Sequence, residues 1–268
     1  MNLLAFDGMA RSTFYYRLKQ LKQPDKYLEL KEVIQLIFHE NKGRYGYRRI
    51  TAELHNRDYF VNHKTVQKLM KQTGLKCTKR KVRYKSYKGE VGTIAPNILK
   101  RDFKASAPFQ KAVTDVTQFD VNGEKVYLSP ILDLYNGEII SYSLSKRPSF
   151  SQTMEMLDIA FKKIPNNSNM ILHSDQGWQY QMKQYQGRLK DKGIIQSMSR
   201  KGNCLDNSVM ENFFGILKSE MFYGEKFASA DQLMQIIPKY IEYYNNDRIK
   251  LKLNGMSPIQ YRTHSISA

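Results

Sequence analysis

Apolar residues recur at helical spacing through the first quarter of the chain and predict a group of short helices. These helices are expected over 9–20, 25–40 and 47–56. Asn62 is a favourable N-cap for one more helix, which should end at Gly74. Its inner side would be Val66, Leu69 and Met70, and its outer side is polar and basic: His63, Lys64, Gln67, Lys68 and Lys71. This pattern is typical of a DNA-contacting helix-turn-helix, although a helical hairpin with a solvated lysine face fits it too.

From residue 111 onward, the pattern changes to short strands mixed with helices. Strands are expected over 111–121, 124–134, 138–144, 169–174 and 194–198, and Asn-Gly pairs join the first three. Helices are expected over 151–164, 181–192 and 205–221. The order β-β-β-α-β-α-β-α predicts an α/β fold with a mixed five-stranded sheet and flanking helices. A last helix is expected over 230–246, where Pro238 predicts a kink or a break.

Four regions follow from these patterns. Residues 1–75 form a helical DNA-binding region, 76–110 a basic linker, 111–228 the α/β core, and 229–268 a C-terminal helical segment. Seven of the thirteen residues at 76–88 are basic, and they include Lys79, Arg80, Lys81 and Arg83. Such a linker is suited to lie along a phosphate backbone, and a solvated tether has the same composition.

Composition indicates the chemical class of the binding partner and the cellular compartment. The chain has 43 Lys and Arg against 25 Asp and Glu, a net charge of +18, which favours a polyanionic partner, most often nucleic acid. Its two cysteines make neither a disulfide framework nor a zinc site, and they suit a reducing cytoplasm. No signal peptide and no apolar run long enough for a membrane span are apparent in the sequence.

The predicted helix over 205–221 has two distinct faces. One is an apolar stripe, and the other carries Asn207, Glu211, Gly215 and Lys218. Seven residues turn an α-helix through about 700°, so Glu211 and Lys218 should point nearly the same way. A carboxylate and an ammonium on one open face suit a metal ion and a phosphate backbone. Alternatively, Ser208 and Glu211 form a capping box and have no other role.

Two aspartates are candidate companions for Glu211. Asp115 is expected in the middle of the first strand, among apolar residues, and Asp175 just after the fourth, where ligand sites gather. Three carboxylates together would need magnesium to offset their charge. Asp175 also fits an Asx turn, and His173 and Trp178 fit packing roles better than ligand roles. Three other acids are rivals for the site: Asp120, Asp133 and Asp206.

The motifs TDVTQF, HSDQGWQY and NSVMENFFGILKSE resemble the core of the insertion-sequence transposases of the IS-three group. That group belongs to the retroviral-integrase superfamily, which has an Asp-Asp-Glu triad. Thirty-five residues lie between Asp175 and Glu211, which is the gap characteristic of the triad. Lys218 matches the family's basic residue, RYGYRRI resembles the preceding helix-turn-helix, and YIEYYNNDRIKLKLNGMSPIQYR resembles the closing segment.

The resemblance implies an RNase H-like fold and metal-dependent DNA strand cleavage and strand transfer at the ends of an insertion sequence. Asp115, Asp175 and Glu211 would be both catalytic residues and ligands of two Mg²⁺ (or Mn²⁺) ions, with Lys218 holding terminal DNA. The partners would be element ends and target DNA, a second copy of the chain during synapsis, and an upstream-frame protein of the same element. The chain resembles the downstream-frame product, a cytoplasmic, nucleoid-associated bacterial protein.

The sequence departs from the family pattern at Val113, where tryptophan is usual, and at Lys250, where histidine is frequent. Asn245 and Arg248, in the same YNNDRIK run, are assigned either a structural role or a DNA contact. Two other functions stay open at this point. One is a DNA-binding regulator whose core is inactive without an upstream-frame fusion, and the other is a general RNase H-like nuclease.

Overall fold

The computed structural model describes residues 10–21, 25–77, 92–201 and 203–267. The chain divides into two compact units, Met1–Thr78 and Lys79–Ala268. The basic residues predicted to contact DNA in the linker lie outside the described residues: Lys79, Arg80, Lys81 and Arg83. Among the helices that are described, none has the length and apolar composition needed to cross a bilayer.

The first unit is helical, as its 3.6-residue periodicity predicts. Its helices are α1 (Arg11–Leu21), α2 (Leu28–Glu40), α3 (Tyr47–Asn56) and α4 (His63–Gln72). The predicted cap of α4 is confirmed, because Asn62 Oδ1 accepts a hydrogen bond from the Lys64 N–H at 2.8 Å. The predicted inner residues of α4 are all buried, namely Val66, Leu69 and Met70. The buried residues of α3 are Ile50, Thr51 and Leu54.

The second unit is built on one mixed sheet, which confirms the predicted fold class. Within the described residues its strands run in the order β4–β3–(β1, β2)–β5–β6. The pairs of β3 with β4, β1 and β2 are antiparallel, and β5 is parallel to both β1 and β6. The strand bounds are β1 Lys111–Thr114, β2 Thr117–Val121, β3 Glu124–Asp133, β4 Ile139–Ser145, β5 Ile171–Ser174 and β6 Ile195–Met198.

The prediction of one unbroken strand over 111–121 is wrong. The chain leaves the ladder at Asp115 and Val116, between β1 and β2. Thr114 pairs with Ile131 and Thr117 with Leu128, so both strands follow one register, which sets Asp115 opposite Pro130. Proline has no N–H to donate at that position, and this explains the interruption.

Helices cover both faces of the sheet. They are α5 (Phe150–Phe161), α6 (Lys183–Lys192), α7 (Ser208–Leu217), α8 (Ala230–Asn246) and α9 (Pro258–Ser267). The predicted helix over 205–221 is shorter than expected, because Cys204–Asn207 is a 3₁₀ turn and α7 passes into a π turn at Lys218–Phe222. Pro238 lies inside an unbroken α8, so the predicted break is wrong.

Successive strand residues divide between two apolar cores, as pleating requires. Val113 and Leu132 belong to the core that contains the apolar faces of α7 and α8. Ala112 and Ile131 belong to the other, which contains those of α5 and α6. The helix that carries Glu211 is therefore packed directly against the strand that leads to Asp115.

Candidate active site

Parallel pairing brings Asp115 and Asp175 to the same edge of the sheet. Val113 on β1 is the register partner of His173 on β5, and each aspartate lies two residues further along its strand. The first and fourth of the strands expected from the sequence are therefore neighbours in the sheet. The interruption opposite Pro130 leaves Asp115 where the ladder ends, rather than in the middle of a strand.

A buried asparagine fixes the start of α7 beside the same strand. Asn207 Nδ2 donates to the carbonyl oxygen of Thr114 at 3.3 Å, and Asn207 is 4% exposed. Glu211 follows one turn later and Lys218 two turns after that. The Lys218 ammonium lies over the Phe119 ring, with Nζ 5.2 Å from the ring centroid. Strand and helix therefore direct two aspartates, a glutamate and a lysine toward one region.

The charges of these groups interact. The pKa of Asp115 is raised well above its ordinary value, first by burial and then by the negative charge of Asp175 and, more weakly, Glu211. Lys218 partly offsets this rise, as does the Val116 N–H, which donates to Asp115 Oδ1 at 2.7 Å. Burial raises the pKa of Asp175 and of Glu211 and lowers that of Lys218.

The two structural alternatives have different outcomes. Asp175 does form an Asx turn, because its Oδ1 accepts from the Gly177 N–H at 2.8 Å. A Cβ on Gly177 would lie 2.9 Å from that oxygen, so a larger residue there would require the Asp175 carboxylate to shift. The capping box is wrong, because α7 begins after Asn207 without any side-chain capping bond.

The rival acids have structural partners instead. Asp206 is completely buried and accepts hydrogen bonds from Arg101, Arg200 and Asn97, and the arginines lower its pKa. Asp133 accepts from two backbone N–H groups, that of Phe109 before β1 and that of Tyr135 in the turn after β3. Asp120 is exposed and accepts from Gly123. None of the three is directed into the region around Asp115.

His173 and Trp178 behave as packing residues. His173 is completely buried, and its Nδ1 lies 2.8 Å from Ser197 Oγ. Burial lowers its pKa from 6.5 to about 4, so the imidazole is neutral at physiological pH. Trp178 is 39% exposed and packs at an angle on Phe150, with ring centroids 6.5 Å apart.

Sequence reasoning missed Tyr180 and Phe119. The Tyr180 hydroxyl is buried, and the charges of Asp115 and Asp175 add to the effect of burial in raising its pKa. It therefore faces both aspartates, and its position inside HSDQGWQY was the available signal. Phe119, in TDVTQF, is a buried strand residue whose ring also lies beneath the Lys218 ammonium.

The donor set at this edge fits a hard divalent cation. It contains only oxygen ligands, which Mg²⁺ and Mn²⁺ prefer. Asn207 Oδ1 is buried beside β1 and lacks a hydrogen-bond partner within the described structure. The charges of the three carboxylates interact, but their oxygens do not form a complete metal site. In the described part of the chain, no group of three His, Cys, Asp or Glu residues is placed to hold a metal ion. Asp115 is buried, and Asp175 and Glu211 are half-buried.

The candidate DNA-binding residues of the first unit all lie on the outer face of α4. Each of them is exposed: His63, Lys64, Gln67, Lys68 and Lys71. The His63 ring stacks near the Tyr47 ring of α3, with centroids 6.2 Å apart. The first helix of the pair therefore adds an aromatic residue to this face.

Comparisons with known proteins match nearly the whole chain. The family described as Integrase core domain matches residues 105–204, a second Integrase core domain family matches 211–266, and the HTH-like domain family matches 26–83. The InsK protein of insertion sequence element IS150 from Escherichia coli (strain K12) is 57% identical, over 98% of this chain and 93% of its own length.

Two more distant relatives also match most of the chain. The transposase for insertion sequence element IS904 of Lactococcus lactis is 36% identical over 88% of this chain and 94% of that protein. Transposase InsF for insertion sequence IS3A of Escherichia coli is 34% identical over 88% of this chain and 82% of that protein. Among solved structures, the HTLV-2 integrase catalytic core domain in complex with magnesium covers 59% of this chain and 98% of that chain, at 17% identity and a TM-score of 0.46.

Proposed function

The chain belongs to the IS3 family of insertion-sequence transposases, and on that premise we propose that it cleaves and joins DNA strands at the ends of its element through Asp115, Asp175 and Glu211. The observation that carries the proposal is the buried Asp115 carboxyl, whose pKa is raised by burial and by both other acids, with Lys218 opposite. Perturbed acids gathered at one sheet edge are typical of catalytic sites.

In the proposed cleavage, water attacks a phosphorus atom at the element end and the bond from that phosphorus to the 3′ oxygen breaks. The products are a free 3′-hydroxyl and a 5′-phosphate. In the joining step, that 3′-hydroxyl attacks a phosphorus atom of the target strand and displaces the 3′ oxygen of the neighbouring target nucleotide. Each step exchanges one phosphodiester bond for another bond to phosphorus, so no covalent protein–DNA intermediate is needed.

Magnesium or manganese, when bound by the three carboxylates, supplies nucleophile activation and charge neutralisation at phosphorus, and we propose two ions per site. The chain's own residues do the positioning. The turn at Gly177 holds Asp175 at the end of β5, and Asn207 sets α7 against β1. Tyr180 closes the buried side behind the aspartates, and Lys218 holds a phosphate of the terminal DNA.

DNA recognition is proposed for the first unit. The exposed face of α4 would enter the major groove, and Lys64, Lys68 and Lys71 would neutralise phosphates. We propose that Lys79, Arg80, Lys81 and Arg83 also contact DNA phosphates. Synapsis of two element ends would need a second copy of the chain, and an upstream-frame protein is a proposed further partner.

A strand-cleavage assay tests the proposal. The probe is a labelled duplex made from the DNA that flanks the chain's own reading frame, incubated with Mg²⁺ or with EDTA. Asp175→Ala and Glu211→Gln should lower nicking and joining at least a hundredfold. Asp120→Asn, which removes an exposed acid from the same sheet, is the matched control and should retain activity.

Full activity of Asp175→Ala would refute the enzymatic proposal. DNA binding by the unaltered chain without any cleavage would instead favour a regulatory product that is inactive on its own. Cleavage of RNA–DNA hybrids without any preference for the flanking DNA would favour a general nuclease.

A further inference from the structure

A buried ion pair lies outside the triad, between the π turn and the end of α8. Arg248 Nε donates to Glu220 Oε2 and Arg248 Nη2 donates to Glu220 Oε1, both at 2.7 Å. Each side chain is 1% exposed, and the Tyr240 hydroxyl donates to the same carboxylate at 3.0 Å. Burying two charges costs free energy, and this cost is offset only when the two side chains keep a well-defined hydrogen-bonded geometry. Such a pair therefore fixes the relative position of the two segments that it joins.

Glu220 belongs to the π turn that continues the Glu211 helix. The turn begins at Lys218, whose carbonyl oxygen accepts from the Tyr223 N–H at 2.8 Å. A π turn is rare and is frequently found at functional positions. The ion pair thus acts two residues away from Lys218, on the same turn of backbone.

The other end of the turn is held by aromatic packing. Phe222 packs edge-on against Phe119, with ring centroids 5.1 Å apart. Phe119 is the ring that lies beneath the Lys218 ammonium. Glu220 and Phe222 therefore fix the turn at two points, and Lys218 is the residue whose direction depends on both.

Arg248 is itself held by the YNNDRIK segment. Asn245 Oδ1 accepts from the Ile139 N–H at 2.9 Å, and its Nδ2 donates to the Ile139 carbonyl at 3.0 Å. Lys250 Nζ donates to the Gly137 carbonyl at 3.1 Å. These three bonds attach the segment to the β3–β4 hairpin, so the backbone that carries Arg248 is held in place beside the π turn.

We propose that Arg248 and Glu220 are positioning residues, which hold the π turn in the conformation that keeps the Lys218 ammonium over Phe119 and beside Asp115. The pair touches no substrate and acts through Lys218. The role of Lys218 toward a DNA phosphate rests on the proposed function, whereas the placement of its side chain does not.

Chemical labelling of Lys218 tests the placement without any catalysis. The full chain is acetylated with N-hydroxysuccinimidyl acetate at fixed pH, and labelling of Lys218 is measured by peptide mass spectrometry relative to exposed Lys190. The double substitution Glu220→Leu with Arg248→Met removes both charges, which often leaves stability intact. We expect its Lys218 labelling to rise at least threefold while its melting temperature stays close to that of the unaltered chain.

Two further variants keep the test decisive. Arg248→Lys retains the positive charge but cannot make the two parallel hydrogen bonds to Glu220, so it should also increase the labelling of Lys218. This variant tests the proposal if the double variant does not fold. Leu157→Ala loosens the core on the opposite face of the sheet and should leave labelling unchanged. Unchanged labelling in the ion-pair variants, or an equal rise in Leu157→Ala, would overturn the proposal.

A kinetic arm uses the strand-cleavage assay. The ion-pair variants should lower the nicking rate about as far as Lys218→Ala does, and adding Lys218→Ala to them should cause no further loss. Additive losses would show that the pair acts elsewhere and would overturn the proposal. Absence of nicking by the unaltered chain would count against the proposed function alone, because the labelling comparison is independent of it.

Discussion

At the residue scale, the carboxyl group of Asp115 is buried beside two other acids, and this disfavours its charged form. Its pKa is raised in the folded chain, so folding favours the protonated form. Its contribution to stability is therefore fully present below the unfolded pKa of 3.8 and is lost as pH rises through the folded pKa. A metal-free chain at neutral pH should be stabilised by removing this charge.

Asp115→Asn tests this expectation. Asparagine retains an oxygen for the Val116 N–H, and it should raise the free energy of unfolding in EDTA at pH 7 by about 1–3 kcal/mol, the usual cost of an uncompensated buried polar group. The measurement is chemical unfolding between pH 4 and 8, and the gain should shrink toward pH 4. Mg²⁺ should raise the melting temperature of the unaltered chain more than that of the variant. Destabilisation of Asp115→Asn at pH 7 would contradict the argument, and Asp120→Asn is its control.

His173 has the opposite pH dependence. Its folded pKa of about 4 lies below the unfolded value of 6.5, so its stabilising contribution is complete above pH 6.5 and is lost as pH falls toward 4. The loss should be on the order of 3 kcal/mol by pH 4, at 1.36 kcal/mol per pKa unit. His173→Gln should flatten this part of the stability profile in urea unfolding. A profile of unchanged slope would exclude His173 as the source.

At the element scale, helix α4 is expected to carry the electrostatic part of DNA binding. Lys64→Ala with Lys68→Ala should reduce the slope of log K against log salt by about 1.8, since each phosphate contact contributes about 0.9 on duplex DNA. Fluorescence anisotropy across a salt series measures it. Lys162→Ala with Lys190→Ala removes the same charge from exposed positions of the second unit and should change the slope less. Equal changes would contradict a specific role for α4.

Local pattern was sufficient to predict most elements, because periodicity and capping are encoded in neighbouring residues. Asn62 and the apolar faces of α3 and α4 are examples. What it missed depends on distant partners. The end of β1 is set by Pro130 on another strand, and the π turn after Leu217 coincides with a carboxylate that pairs with Arg248, twenty-eight residues further on.

The site could be predicted only in part, because some of its features also depend on residues that are distant in the sequence. Spacing between Asp175 and Glu211 and the family motifs identified candidate acids, but no sequence pattern shows that Asp206 is neutralised by Arg101 and Arg200. Nor does one show that Tyr180 faces the aspartates. The roles of the triad and of the DNA contacts remain predictions that the experiments above can decide.

At the scale of the whole molecule, the C-terminal segment completes the core rather than following it. One apolar core contains Leu233, Ile237 and Tyr244 of α8 together with residues of β1, β3 and α7. Removing residues 229–268 would expose this surface and remove Arg248, the ion-pair partner of Glu220.

Truncation tests this dependence. A chain ending at residue 228 should lose cooperative thermal unfolding and aggregate, because several large apolar side chains would lose their cover. Circular dichroism and light scattering measure both effects. Removal of residues 1–21 is the control and should leave the melting of the second unit unchanged. A soluble, cooperatively melting 1–228 chain would show that the core is complete without α8.

The interruption opposite Pro130 has a consequence for protein design. The short motif around Asp115 does not itself cause the backbone to leave the ladder. The cause is Pro130 on the adjoining strand. A designer who grafts this acidic motif onto another scaffold would need to transplant the proline as well. Without it, inter-strand hydrogen bonding would continue past the aspartate and hold Asp115 within the ladder instead of at an interruption.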